Sequence, residues 1–429
     1  MITVALPSIQ RDLGGGLTAQ QWLVDSYLLT LGSLILVGGS LGDLYGERRI
    51  FALGVGGFGV ASLLCALAPT SNLLIGARAV QGIAGALLTP SSLAVIVSTF
   101  EGEERGAAIG TWTAWSGISA VLGPLVGGWL LNVASWRWIF LINIPLVAVT
   151  LALVLTVVPR REQGAKHVRV DFVGAALCVL GLGGTVFAFI EQPRLGWGHP
   201  AIVGSLLGGA VVLALFLVWE ARAAHPMLPL RLFRSRNFSV TNLETLLVYA
   251  GLSTLFFFLV LFLQQIAGYS PLKSGLALMP ATLVLFSLSR YVGRLSSRIG
   301  PRVFMSVGPI LAGIGLLPLA RMGSGVNYWT DVLPGVLVFS FGLALTVAPL
   351  TATVLAEAGQ SDAGIASGVN NAVARVAGLL GIALVGLAVA NRANRLDAHG
   401  FHVAMLITAA LVALGGVIGA IGIRNPGRA

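Results

Sequence analysis

The chain has 429 residues, of which 56% are hydrophobic and only 10% charged, with a mean hydropathy of +0.91. A soluble domain carries about 25% charged residues, so an ordinary wet surface is excluded. The formal net charge is +10, but the arginines lie singly in turns and form no basic stripe, which argues against a nucleic-acid partner.

Apolar runs fall at residues 20–41, 50–69, 73–98, 106–131, 138–158, 172–190, 201–219, 239–263, 274–291, 303–320, 332–355, 363–390 and 401–423. Runs of this length read as membrane-spanning helices, since only helices and closed barrels satisfy their backbone in lipid. No ten-residue alternating pattern supports a barrel. Ahead of these runs, residues 1–9 could form about 14 Å of helix, half a hydrocarbon core. That segment has no basic leader region and is not a signal peptide. It reads as the last turns of a first helix whose beginning is missing. The expectation is an all-α integral membrane fold of 14 spans, the first one incomplete.

The runs at 172–190 and 201–219 are flanked by polar stretches at 159–171 and 221–237. Treated as an insertion, they leave two pseudo-symmetric six-helix bundles. The expected units are 1–158, the inserted pair with its basic linkers at 159–237, and 238–429. If the turn at 42–49 is cytoplasmic and the sides alternate, seventeen Lys and Arg fall on that side and seven on the other. This is the bias of the positive-inside rule. It predicts a multi-pass protein with a cytoplasmic C-terminus. Only Lys166 and Lys273 are lysines among 26 basic residues, a composition that suggests a GC-rich bacterial genome and hence a bacterial cytoplasmic membrane.

Three motifs stand out. Gly39, Gly42, Asp43, Gly46, Arg48 and Arg49 form a tight basic turn between two runs, and its Gly-x-Leu-x-x-x-x-Gly-x-Arg skeleton returns with Gly293, Gly300 and Arg302. Glycines there let two helices approach across a short connection. The second copy has Ser297 where the first has Asp43, so the acidic role is single-sided. Arg78 lies about a turn inside a run; it either faces a cavity or partner, or snorkels to the interface. Gly117, Gly123, Pro124, Gly127 and Gly128 lie in the run at 106–131, where a Gly-Pro pair kinks a helix and small residues admit close packing.

Jointly, these motifs resemble the major facilitator superfamily: its loop between the second and third helices, its fourth-helix motif, and its antiporter-associated fifth-helix motif. Residues 5–9, Gln21-Trp22 with Tyr27, 136–145, and 366–371 with Arg375 and Gly378 resemble its 14-helix drug:proton antiporter branch. The resemblance implies a proton-driven exporter of drugs, dyes, antiseptics or natural products. That branch carries an acidic residue upstream of the Ala-Leu-Pro turn, and this chain begins after that point.

The remaining membrane acids are Asp25 and Glu244, each about six residues into a run. With Arg78 they are the candidates for proton coupling or substrate contact, with interfacial exposure as the plainer alternative. Asp25 beside Arg78 would make a protonation switch. Arg375 is expected to pair with carbonyls or Asn371 and to serve packing. The Gly54–Gly59 segment fits a dinucleotide fingerprint but follows no strand. Cys65, Cys178 and the five His show no metal spacing.

The expected activity is export of an amphipathic or cationic substrate in exchange for protons, by alternating access around a central cavity. The partners are a small molecule, protons and the bilayer, with a monomer expected. No catalytic residue, metal or cofactor is assigned. The alternatives are import of a small anionic metabolite with Arg78 as ligand, and a non-transporting truncated relic. A membrane enzyme would need a catalytic cluster within the spans, and none is present.

Overall fold

The computed structural model describes residues 1–159, 170–323, 325–389 and 394–425. Among these residues all regular secondary structure is helical. The helices are α1 Ile2–Leu13, α2 Gly16–Tyr45, α3 Glu47–Leu67, α4 Ser71–Thr99, α5 Gly102–Val133, α6 Trp138–Leu141, α7 Asn143–Val157, α8 Phe172–Leu195 and α9 Pro200–Arg222. They continue with α10 Arg236–Gln265, α11 Pro271–Ala277, α12 Met279–Ile299, α13 Pro301–Leu319, α14 Leu333–Val389 and α15 Ala398–Gly422. Every apolar run of the sequence is therefore a helix. Among the described residues twelve helical segments are long and apolar enough to cross a membrane, and α5 adds the shorter apolar stretch Leu122–Val133. The basic positions Arg160, Arg161, Lys166, Arg169, Arg392 and Arg428 lie outside the described residues.

Local chemistry sets the helix ends. Thr70, Asp171, Ser235 and Asp397 each accept a backbone N–H of the first turn they precede, which satisfies a donor that the helix leaves open. Gly46 and Gly300 have φ of 97° and 103°. Each is the single residue between two long helices, in a conformation that only glycine adopts cheaply.

The sequence predicts two spans within 332–390. The structure has both: the helical backbone labelled α14 comprises most of one span, Tyr328–Ala358, and all of a second, Asp362–Val389, and the chain folds back between them. The two parts run in opposite directions. Descending, Gly335 packs on Leu319 and Gly342 on Ala312 of α13. Ascending, Ala366 clusters with Phe238, and Gly381 abuts Ala250 of α10. The reversal is pinned from outside: Arg231 pairs with Asp362 at 2.9 Å, and Asn237 donates to Glu357 at 2.8 Å.

Helices α2, α3, α4 and α7 pack together, as do α10, α12, α13, α14 and α15. The two groups meet along two seams. In one, α2 lies antiparallel to the ascending part of α14: Gln21 faces Gly386, Leu28 faces Gly378, and Leu36 faces Gly368. In the other, α5 meets α11 and α12. The glycine turns mark one end of the molecule, the turn end. The α1–α2 connection and the α14–α15 connection mark the far end, where Asn394 bridges the halves by accepting from the Thr18 amide and hydroxyl at 3.1 and 3.0 Å. Helix α8 covers the first seam. Its Leu182, Val186 and Ile190 form one cluster with Leu379 and Ala383 of α14, and Trp22 of α2 donates to Glu191 at 3.0 Å.

Candidate functional site

The repeated turn does the same job in both halves. Arg48 donates to the Val154 and Leu155 carbonyls, at 3.1 and 2.6 Å, at the end of α7. Arg302 donates to the Ala420 carbonyl at 2.9 Å near the end of α15. Each arginine ties a tight turn to the open carbonyls of a helix C-terminus, where a cation is favoured. Gly39 and Gly42 lie against Pro90 and Ser91 of α4, and Gly293 lies against Ala348 of α14. Asp43 and Arg49 are exposed, and Asp43 has an interaction of its own.

Arg78 does not snorkel. It is 7% exposed and points inward. Its Nε donates to the Leu23 carbonyl at 3.0 Å, and one terminal nitrogen donates to Gln81 at 2.6 Å. The guanidinium stacks over the Tyr27 ring at 4.3 Å, a cation–π contact. Gln81 in turn donates to Ser62 at 2.8 Å, which also accepts from Asn143 at 3.2 Å. Arg78 thus anchors a buried polar network that joins α2, α3, α4 and α7.

Asp25 and Glu244 are each 0% exposed, so neither is interfacial. No oxygen of either carboxyl has a hydrogen-bond partner. The expected Asp25–Arg78 pairing is not formed, because Arg78 is satisfied by a carbonyl, an amide and a ring. Asp25 faces the α2–α14 seam instead. Gln21, one turn earlier, donates to the Ile382 carbonyl at 3.0 Å. A methyl at Gly32, two turns later, would lie 3.1 Å from the Arg375 Cβ. Residues at these spacings share one helix face. Glu244 lies within the second half, against Gly415 and Gly419 of α15. The missing side chain of Gly419 makes room for the carboxyl: a Cβ there would come within 2.9 Å of Glu244 Oε2.

A cavity of about 400 Å³ opens between the halves, lined by α1, α5, α10, α11, α12 and α14. Phe256, Leu285 and Phe339 make it apolar, Thr3, Ser119, Thr282 and Ser340 add hydroxyls, and among the described residues no acidic side chain lines it. Gly123 and Pro124 border it. A methyl at Gly127 would lie 3.1 Å from Met1, and one at Gly128 would lie 2.7 Å from the Leu272 Cα. The Gly-Pro segment therefore packs flush on α1 and on α11 of the other half; Gly117 lies in α5, with its surroundings outside the described side chains. Arg375 departs from expectation. Asn371 donates to the Ser367 carbonyl at 3.1 Å, while Arg375 makes no such bond and is exposed. The wholly apolar groove of about 420 Å³ at Val284, Leu311 and Phe341 is a surface feature of the second half, away from these residues.

Among the described residues no group of His, Cys, Asp and Glu could hold a metal. The sequence matches the family described as Major Facilitator Superfamily over residues 1–382. It is 38% identical over 390 residues to the puromycin resistance protein pur8 of Streptomyces alboniger, covering 90% of this chain and 77% of that one. It is 33% identical over 418 residues to the methylenomycin A resistance protein of Streptomyces coelicolor, covering 97% and 87%. The cephamycin export protein CmcT of Amycolatopsis lactamdurans is 35% identical over 90% of this chain and 80% of its own. Among solved structures, the POT family transporter PepTSo superposes with a TM-score of 0.68 at 15% identity, covering 98% and 93%. The Escherichia coli xylose transporter XylE gives 0.62 at 13%, covering 97% and 91%. Repeated turn, two seams, inter-half cavity and relatives agree: the chain belongs to the major facilitator superfamily, among resistance and export proteins for drugs and antibiotics.

Proposed function

We propose that the protein exports amphipathic small molecules across the bacterial cytoplasmic membrane in exchange for protons. The observation that carries this reading is the unpartnered Asp25 carboxyl, fully buried on the seam between the halves. An isolated buried carboxylate is costly, and taking up a proton removes that cost. A proton at Asp25 therefore favours the closed seam, and its loss favours a seam that opens to water. Alternating access couples that step to the cavity, which offers aromatic, aliphatic and hydroxyl contacts to a lipophilic substrate. On this reading the carrier consists of two six-helix bundles with α8 and α9 between them, works as a monomer and keeps its C-terminus in the cytoplasm. The family and the resistance relatives support export over import.

Dye and drug transport in inverted vesicles with an imposed proton gradient tests this. Gradient-dependent accumulation that Asp25→Asn abolishes is the expected result. Accumulation that is indifferent to the gradient would remove proton exchange, and uptake in the opposite direction would restore the importer.

A further inference from the structure

Arg375 lies near the middle of the span Asp362–Val389, where a charge is expensive and ordinarily paired. Among the described residues its guanidinium has no hydrogen bond and no ion pair. Its Cβ backs onto Gly32 of α2, and Tyr249 of α10 lies within electrostatic reach of it. Those two helices belong to opposite halves, so the side chain stands between them.

Two patterns relate its position to the cavity. Along α14, Asn371 and Arg375 are exposed, whereas Gly378 and Ile382, which continue the same face, are buried. Exposure along this face, counted from the turn end, therefore ends at Arg375. Along α10, Tyr249 shares a face with Leu252 and Phe256, which line the cavity. Tyr249 and Arg375 thus sit one turn from that lining, on the turn-end side. Neither buried acid is presented here: Asp25 is enclosed in the seam two turns toward the far end, and Glu244 is enclosed among α10, α13 and α15.

We propose that Arg375, with Tyr249 beside it, is the anchoring subsite for an anionic or strongly accepting group, of the carboxylate or enolate class, on an otherwise lipophilic substrate. A guanidinium offers five N–H donors in a planar fork that matches a carboxylate. The apolar and hydroxyl-lined cavity one turn away receives the rest of the molecule. This rests on the export reading and narrows its substrate class.

The test uses two planar three-ring dyes of similar size, fluorescein as the anion and rhodamine 6G as the cation. Binding to the purified full chain is read by fluorescence polarisation, with thermal unfolding followed in parallel. The wild type should bind fluorescein, and Arg375→Gln should weaken that binding at least about tenfold, the worth of one charge-assisted contact. Rhodamine 6G binding should stay within about twofold. Arg375→Lys, which keeps the charge but loses the fork, should fall between, and Tyr249→Phe should weaken fluorescein more mildly. Equal effects on both dyes, no effect on either, or a wild type that binds only the cation would each overturn the proposal. Vesicle transport separates it from export itself. Dyes that bind but are never moved sink export and leave the subsite; a transported cation untouched by Arg375→Gln, with no anion bound, does the reverse.

Discussion

Replacing Gly128 with alanine puts a methyl where two helices of opposite halves already touch. The added Cβ would lie 2.7 Å from the Leu272 Cα and 3.0 Å from the Pro271 carbonyl oxygen. Both are backbone atoms, so no side chain can turn aside, and overpacking of this kind costs about 1–3 kcal/mol. The contact joins α5 to α11 at the far end, which is closed here. If the far end opens during transport, the clash burdens only the closed state. The equilibrium should then move toward the far-end-open form by about five- to 150-fold. Spin labels at the exposed positions Val133 and Lys273, with Cys65 and Cys178 replaced by serine, would report the change as a longer distance distribution. Gly313→Ala is the control. Its methyl would sit 2.7 Å from the Ala409 carbonyl, inside the second half, so it should lower thermal stability and leave the distances alone. If Gly128→Ala behaves like the control, the α5–α11 contact persists through the cycle and the reasoning fails.

Other perturbations follow from the same geometry. Asp25→Asn keeps the shape of the side chain and removes its titration, so dye binding should persist while gradient-driven accumulation falls to background; full transport would clear Asp25 of proton coupling. Arg78→Ala strips the Leu23 carbonyl and Gln81 of their donor. Calorimetry should show a loss of about 1–3 kcal/mol for each partner left bare, and an unchanged unfolding temperature would mean that the network is not structural. Cys178 lies beside Ser33 across the α2–α8 contact. Ser33→Cys should therefore cross-link to it under mild oxidation, read as a gel shift, and a failure to cross-link would put α8 elsewhere. Arg302→Ala should destabilise the end of α15 by about 1 kcal/mol, the worth of a typical hydrogen bond, seen as faster amide exchange near Ala420.

Hydropathy alone located the long apolar helices, because in lipid a long apolar run has one way to satisfy its backbone; the short helices α6 and α11 went unseen. The turn glycines were legible too, since a one-residue link between long helices demands a positive φ. The partners of the charged residues were not. Arg78 and Asp25 lie on neighbouring helices near one level, which made a salt bridge an attractive reading, but Arg78 finds Gln81 within its own helix and the backbone of Leu23 instead. Gln81 follows Arg78 by three residues, a spacing that could have signalled this pair. The face that Asp25 presents depends on where α14 docks, and nothing within α2 encodes that. Arg375 shows the same limit. Asn371 one turn away looked like its partner, yet that amide is taken by the Ser367 carbonyl.

The placement of α8 makes the two flanks of the molecule unequal. On one flank, α8 roofs the line where α2 meets α14, and its Phe187 packs against Trp22 at 6.3 Å between ring centroids. On the other, α5 meets α11 and α12 with neither α8 nor α9 packed over them. A molecule already dissolved in the acyl chains thus faces a shuttered wall on one side and a bare joint beside the cavity on the other. If lipophilic cargo enters from the bilayer, the α8–α9 pair leaves it one flank rather than two.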